Sequence, residues 1–133
     1  MIIPNYKIGS DNNKQNLILQ TGEQIKYLYR PTAIANYSFH DESDGTDYQI
    51  PVGKKFTALT YYKAHTSYAG QGFYSSPTVN SVVGATLLGY TGLPQNLYSI
   101  VHNMVWTAGN YVTTDSGAAG DRLIGVESNV WPK

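Results

Sequence analysis

Lys55-Phe56-Thr57-Ala58-Leu59-Thr60-Tyr61-Tyr62-Lys63 decides the fold class, because its residue types alternate with period two. Read as a strand, it sets Phe56, Ala58, Thr60 and Tyr62 on one face and Lys55, Thr57, Leu59 and Tyr61 on the other. Two neighbouring stretches repeat the pattern. Gln24 to Arg30 sets Ile25, Tyr27 and Tyr29 against Lys26, Leu28 and Arg30, so one face is expected to be buried. Ala33 to His40 sets Ala33, Ala35, Tyr37 and Phe39 against Ile34, Asn36, Ser38 and His40, with Pro31 as the break between these two strands.

Working outward, the intervening segments are dense in turn formers. Asp41-Glu42-Ser43-Asp44-Gly45-Thr46-Asp47 is one connection. Ile50-Pro51-Val52-Gly53 is another, with Pro and Gly at the second and fourth positions of a type I turn. Gly84 to Tyr90 and Arg122 to Glu127 read as shorter strands, separated by Gly92-Leu93-Pro94, Ala108-Gly109-Asn110 and Ser116-Gly117-Ala118-Ala119-Gly120. The twelve Tyr, three Phe and two Trp also favour strands. One segment stays open. Leu97, Ile100, Val101, Met104 and Val105 follow a helical stripe, with Asn96 placed to cap it and Gly109 to close it, yet a buried strand fits equally.

The expected architecture is all-β: a single-domain antiparallel β-sandwich, jelly-roll-like, spanning residues 24–133, with either a short helix or a strand over residues 96–107. Residues 1–23 are polar around Gly9 to Asn16, with short apolar runs at Ile2-Ile3 and Leu17-Ile18-Leu19, and read as a first strand or an arm.

Composition narrows the function classes. Nine basic and nine acidic residues give a formal charge of zero, and no basic run exists to track a phosphate backbone, so nucleic acid is not expected as a partner. Charged residues are only 14% of the chain, against roughly a quarter in an ordinary soluble domain. Low net charge removes self-repulsion and favours association, which points to a homo-oligomer. Without Cys there is no disulfide, thiol chemistry or Cys-ligated metal. The first residues lack the basic and apolar regions of a secretory signal, and no apolar stretch has the length to cross a membrane.

Recognisable catalytic patterns are missing. There is no Gly-x-Ser-x-Gly elbow, Gly-rich phosphate loop or His-Glu-x-x-His. His40, His65 and His102 are scattered and lack the paired spacing of cupins, so neither a cofactor nor catalysis is expected. The acidic turn offers Asp41, Asp44 and Asp47 around Gly45, a carboxylate density that a hard cation would use, although the EF-hand spacing is absent and a solvated hairpin tip is the simpler reading. Aromatic residues are the remaining binding candidates. Tyr61, Tyr68, Phe73, Tyr74 and Trp106 present flat apolar faces suited to a protein interface or to stacking on a sugar, if they are not core.

Ile50-Pro51-Val52-Gly53-Lys54-Lys55-Phe56-Thr57-Ala58-Leu59, followed by a Gly-rich loop and Ala85-Thr86-Leu87-Leu88-Gly89-Tyr90-Thr91, resembles small β-sandwich structural proteins of tailed bacteriophage particles, in which an Ile-Pro-x-Gly-Lys turn opens a strand. The resemblance covers roughly residues 48–126. It implies a virion-associated decoration, fibre or tail-tip component, oligomeric and often trimeric, with no catalytic residues. The expected function is therefore a non-catalytic structural or attachment module of a particle or surface assembly. The alternative is a carbohydrate-binding module.

Overall fold

A computed structural model describes residues 22–31, 38–64, 71–91, 98–100, 104–115 and 119–130. They form nine strands: β1 Gln24–Tyr29, β2 His40–Asp41, β3 Lys54–Tyr62, β4 Gln71–Ser76, β5 Thr86–Thr91, β6 Tyr98–Ile100, β7 Val105–Thr107, β8 Tyr111–Thr114 and β9 Arg122–Asn129. The larger sheet runs β2-β1-β9-β3, and the far edge of β3 pairs with β6 and β7 in succession; the smaller sheet runs β5-β4-β8. All pairings are antiparallel. The all-β expectation holds, in the form of two antiparallel sheets packed as a sandwich. Of the expected jelly-roll winding, the described strands establish only these two sheets.

The described parts of the segment left open, Tyr98–Ile100 and Val105–Thr107, are strands, and among the described residues there is no helix. These two strands line one edge of β3: Thr60 to Tyr62 pair with β6 and Lys55 to Thr57 with β7. Of the strand expected over 33–40, residues 33–37 lie outside the described set, as do residues 1–21 of the expected arm. Ser38 makes a single bridge to Thr113, and His40 and Asp41 pair with the end of β1. The turn before β3 sits one residue later than expected. Lys54 N–H donates to Pro51 O, so Gly53 is its third residue, and its φ of 80° is the one a type II turn demands there.

The packing corrects the alternation expected for β3 and decides which face of β1 is buried. In β3 the register against β9 jumps between Ala58 and Thr60, so Leu59 is an extra residue. The bulge reverses the alternation beyond it. Phe56 and Ala58 share the buried face, but beyond the bulge Tyr61, and not Tyr62, continues it. In β1 the buried face is the one with the charges: Leu28 and Arg30 are inside while Tyr27 is half exposed. Arg30 lies against Asp121 with Nε–Oδ2 3.6 Å, both side chains fully enclosed, and its guanidinium faces the Phe39 ring at 5.3 Å.

The core is an aromatic chain. Tyr48 meets Phe56 at 5.5 Å between centroids, Phe56 meets Trp106 at 5.6 Å, Trp106 meets Phe73 at 6.5 Å, and Phe73 meets Tyr61 edge-on at 5.0 Å. Such pairs contribute about 0.5–1.5 kcal/mol each beyond the area they bury. Their polar ends are satisfied: Trp106 Nε1–H donates to Tyr74 O at 2.9 Å, tying the two sheets together, and Tyr48 O–H donates to Glu127 Oε1 at 2.7 Å. Burial pushes the Tyr48 hydroxyl far above its ordinary value, and the Glu127 carboxylate beside it adds to the effect.

Candidate binding face

Three of the five aromatic candidates are core residues. Tyr61, Phe73 and Trp106 have no exposed surface, so none is available to a partner or sugar. Their spacing in sequence looks like surface aromatics because the stretch Gln71–Ser76 is rich in Gly and Ser, yet it forms β4, the central strand of the small sheet, and its middle aromatic must point inward. Tyr68 lies outside the described residues. Among the described candidates, Tyr74 alone reaches the outer face of the small sheet.

The acidic turn is a hairpin tip whose carboxylates look in different directions. Asp41 Oδ1 accepts the Ser43 N–H at 2.9 Å and hydroxyl at 2.8 Å, and its Oδ2 takes the Lys26 ammonium at 3.0 Å. Burial pushes the Asp41 carboxyl up, but these bonds together outweigh it and hold the group below its ordinary value. Asp44 Oδ1 accepts the Thr46 N–H and hydroxyl, the usual local bond of an Asx turn, and Asp47 sits 3.0 Å from His40 Nε2. Among the described residues no group of three His, Asp or Glu side chains is arranged to hold a metal.

A cluster that includes residues outside the sequence-derived candidates stands around Gly72. On β4, Gly72 and Tyr74 share the outer face; their partners across the pair are Tyr90 and Leu87 on β5. Tyr90 and Leu87 are three apart and would ordinarily face opposite ways. The register jump opposite Phe73 and Tyr74 leaves Leu88 as an extra residue and brings both to the same side. Tyr90 is 61% and Leu87 46% exposed. A Cβ at position 72 would lie 3.0 Å from Tyr74 Cε1, 3.2 Å from Leu87 Cδ1 and 3.0 Å from Asp115 Oδ2, so these side chains converge above the glycine. Asp115 is fixed there from both ends: its N–H donates to Gly72 O at 3.2 Å, and its Oδ1 accepts the Gly72 N–H at 3.0 Å. The Tyr74 hydroxyl is raised above its ordinary value, by partial burial first and then by the Asp115 carboxylate and Tyr90.

A second concavity, a groove of about 470 Å³, opens where β4 and β5 approach β7. It is lined by residues such as Ser75, Thr86, Leu88, Val105 and Thr107 and has no charged wall. Ser75 Oγ is buried in it without a hydrogen-bond partner. Both features belong to one region whose signal was present in the sequence. From Ala64 to Thr114 the chain has no Asp, Glu, Lys or Arg, and this run supplies all of β4 to β8. The charged residues belong to β1, β2, β3, β9 and segments outside that run.

The comparisons add no relative: no family model, curated protein or solved structure matches the chain.

Proposed function

We propose that the chain is a non-catalytic structural or attachment module that self-associates through its uncharged half, as a component of a virus-like particle or comparable surface assembly. The segregation of charge carries this reading. The uncharged edge of the small sheet, strand β5 with the turn before it where Val83 is 78% exposed, costs little to desolvate against a second copy, whereas the charged sheet would resist such contact. Among the described residues β5 pairs only with β4, and its sequence Thr86-Leu87-Leu88-Gly89-Tyr90-Thr91 contains none of the Lys, Glu or Pro residues that usually blunt a sheet edge. The likeness of the Ile50–Leu59 stretch to phage-particle proteins supports the particle setting and favours a trimer.

Light scattering coupled to size exclusion tests the proposal. Oligomers should form in the micromolar range, and Thr86→Lys, which places a charge on the edge strand, should shift the protein toward monomer. A strict monomer at hundreds of micromolar overturns the reading.

A further inference from the structure

We propose that the outer face of the small sheet carries a binding site for a neutral sugar, formed by Tyr74, Leu87, Tyr90 and Asp115 above Gly72. The site does not rest on self-association, because all five residues belong to one copy.

The chemistry follows from three features of the cluster. First, an exposed Tyr ring beside a Leu side chain offers a small apolar platform, and a pyranose presents a matching face of C–H groups with hydroxyls around its rim. Second, Asp115 places a carboxylate oxygen beside that platform in a fixed position, because its other oxygen and its own N–H are held by the backbone of Gly72. A fixed anionic acceptor suits hydroxyl donors, which give charge-assisted bonds without the ordering cost of a mobile side chain. Third, the ligand should be uncharged: no basic residue lies in the run Ala64 to Thr114, Arg30, whose charge interacts with Asp115, is fully enclosed and out of a ligand's reach, and Asp115 repels a carboxylate or sulfate. Gly72 is what allows the arrangement. Any side chain there would occupy the space in which Tyr74, Leu87 and Asp115 meet.

A contact of this size, one or two rings and one acceptor, should bind a monosaccharide in the millimolar range, about −4 kcal/mol, and a β-linked oligomer more tightly. The test is an NMR titration of the full chain, with labelled Tyr and Leu, against glucose, galactose, N-acetylglucosamine, their β-linked oligomers and glucuronic acid. Saturable shifts at Tyr74, Leu87 and Tyr90 are expected with at least one neutral sugar, and weaker binding with glucuronic acid. Tyr74→Ala and Tyr90→Ala should each lower affinity about tenfold, the scale of one lost aromatic contact. Asp115→Asn, which retains the acceptor for the Gly72 N–H, should weaken neutral-sugar binding severalfold and remove the discrimination against glucuronic acid. Its circular dichroism should match that of the parent protein. No shift at Tyr74 or Tyr90 with any neutral sugar overturns the site, as does glucuronic acid binding as well as glucose. Shifts at these residues that follow protein concentration and ignore every sugar also overturn it, and would assign the platform to contact between copies instead.

Discussion

Removing the carboxylate of Asp121 should be among the most damaging single changes in this protein. Arg30 and Asp121 lie on the β1 and β9 ends of the large sheet with both side chains fully enclosed. Burial lowers the Arg30 guanidinium from its ordinary value, and Asp121 is the first of the groups that push it back, ahead of Tyr61 and Asp115. Asp121→Ala leaves that cation enclosed with its main counter-charge gone, a loss of about 3–5 kcal/mol. It also strips the acceptor from the Ala64 N–H, which donates to Asp121 Oδ1 at 2.7 Å, for about 1–3 kcal/mol more where that donor is enclosed. Set against a total stability of about 5–15 kcal/mol, the variant should be largely unfolded or close to it. Asp121→Asn retains the Ala64 acceptor and should be milder by about 1 kcal/mol or more. Arg30→Met with Asp121→Asn should recover part of the loss, because no unpaired charge is then buried. Urea unfolding followed by the fluorescence of buried Trp106 measures the parent, these three variants and Arg30→Met alone, which completes the cycle. Losses under about 1 kcal/mol in the Asp121 variants, or strict additivity in the double variant, would refute a coupled buried pair.

Three further outcomes can be checked in the same assay. Gly125→Ala should cost several kcal/mol, about 3 or more, because a Cβ there would overlap the Thr57 carbonyl oxygen and the Phe56 ring; a near-neutral result would show that β3 and β9 can separate locally. Asp41 has a folded value below its unfolded one, so its contribution is present above the unfolded carboxylate range, about pH 4, and is lost as pH falls through the lower folded value. Lys26→Met should therefore flatten part of the acid limb of stability against pH, and an unchanged limb would contradict the role given to that pair. Tyr48 is shifted the other way, so its contribution is full below about pH 10 and declines as pH rises further, when the unfolded chain ionises first. Tyr48→Phe should be less stable at neutral pH by about 1–2 kcal/mol, through loss of the bond to Glu127, and should show a shallower alkaline limb.

How far the fold could be read from the sequence depended on whether alternation survived. It held for the existence of β1, β3, β5 and β9, since each is a run of residues with strand propensity between turn formers. It failed to show which rings face inward wherever a bulge intervened. Leu59 carries no mark of being extra: it is apolar, in phase, and flanked by Thr and Ala. Only the pairing with β9, which skips it, sends Tyr61 inward and Tyr62 outward. β4 is hidden in the sequence for a different reason. Gly72, Ser75 and Ser76 look like loop residues, yet a central strand packed against a bulky core accepts small residues, and Phe73 alone fills the space opposite Tyr61 and Trp106.

The bulges in β3 and β5 connect the core to the proposed binding face. Because the β3 bulge sends Tyr61 inward, Phe73 has an edge-on partner at 5.0 Å and is fixed as the inward residue of β4. With Phe73 inward, alternation puts Gly72 and Tyr74 outward. The β5 bulge at Leu88 then sets Leu87 and Tyr90 beside them, while Leu88 itself packs against the core. A single strand pattern cannot encode this, since it needs three strands in register and two insertions. What the sequence does encode is the chemical setting: a chain that spends all its charge before Ala64 and after Thr114 leaves the sheet built from the middle free of ions, apart from Asp115 at its margin. That one carboxylate, held by the Gly72 backbone at the edge of an otherwise neutral face, distinguishes a site for a hydroxyl-bearing ligand from a merely apolar patch.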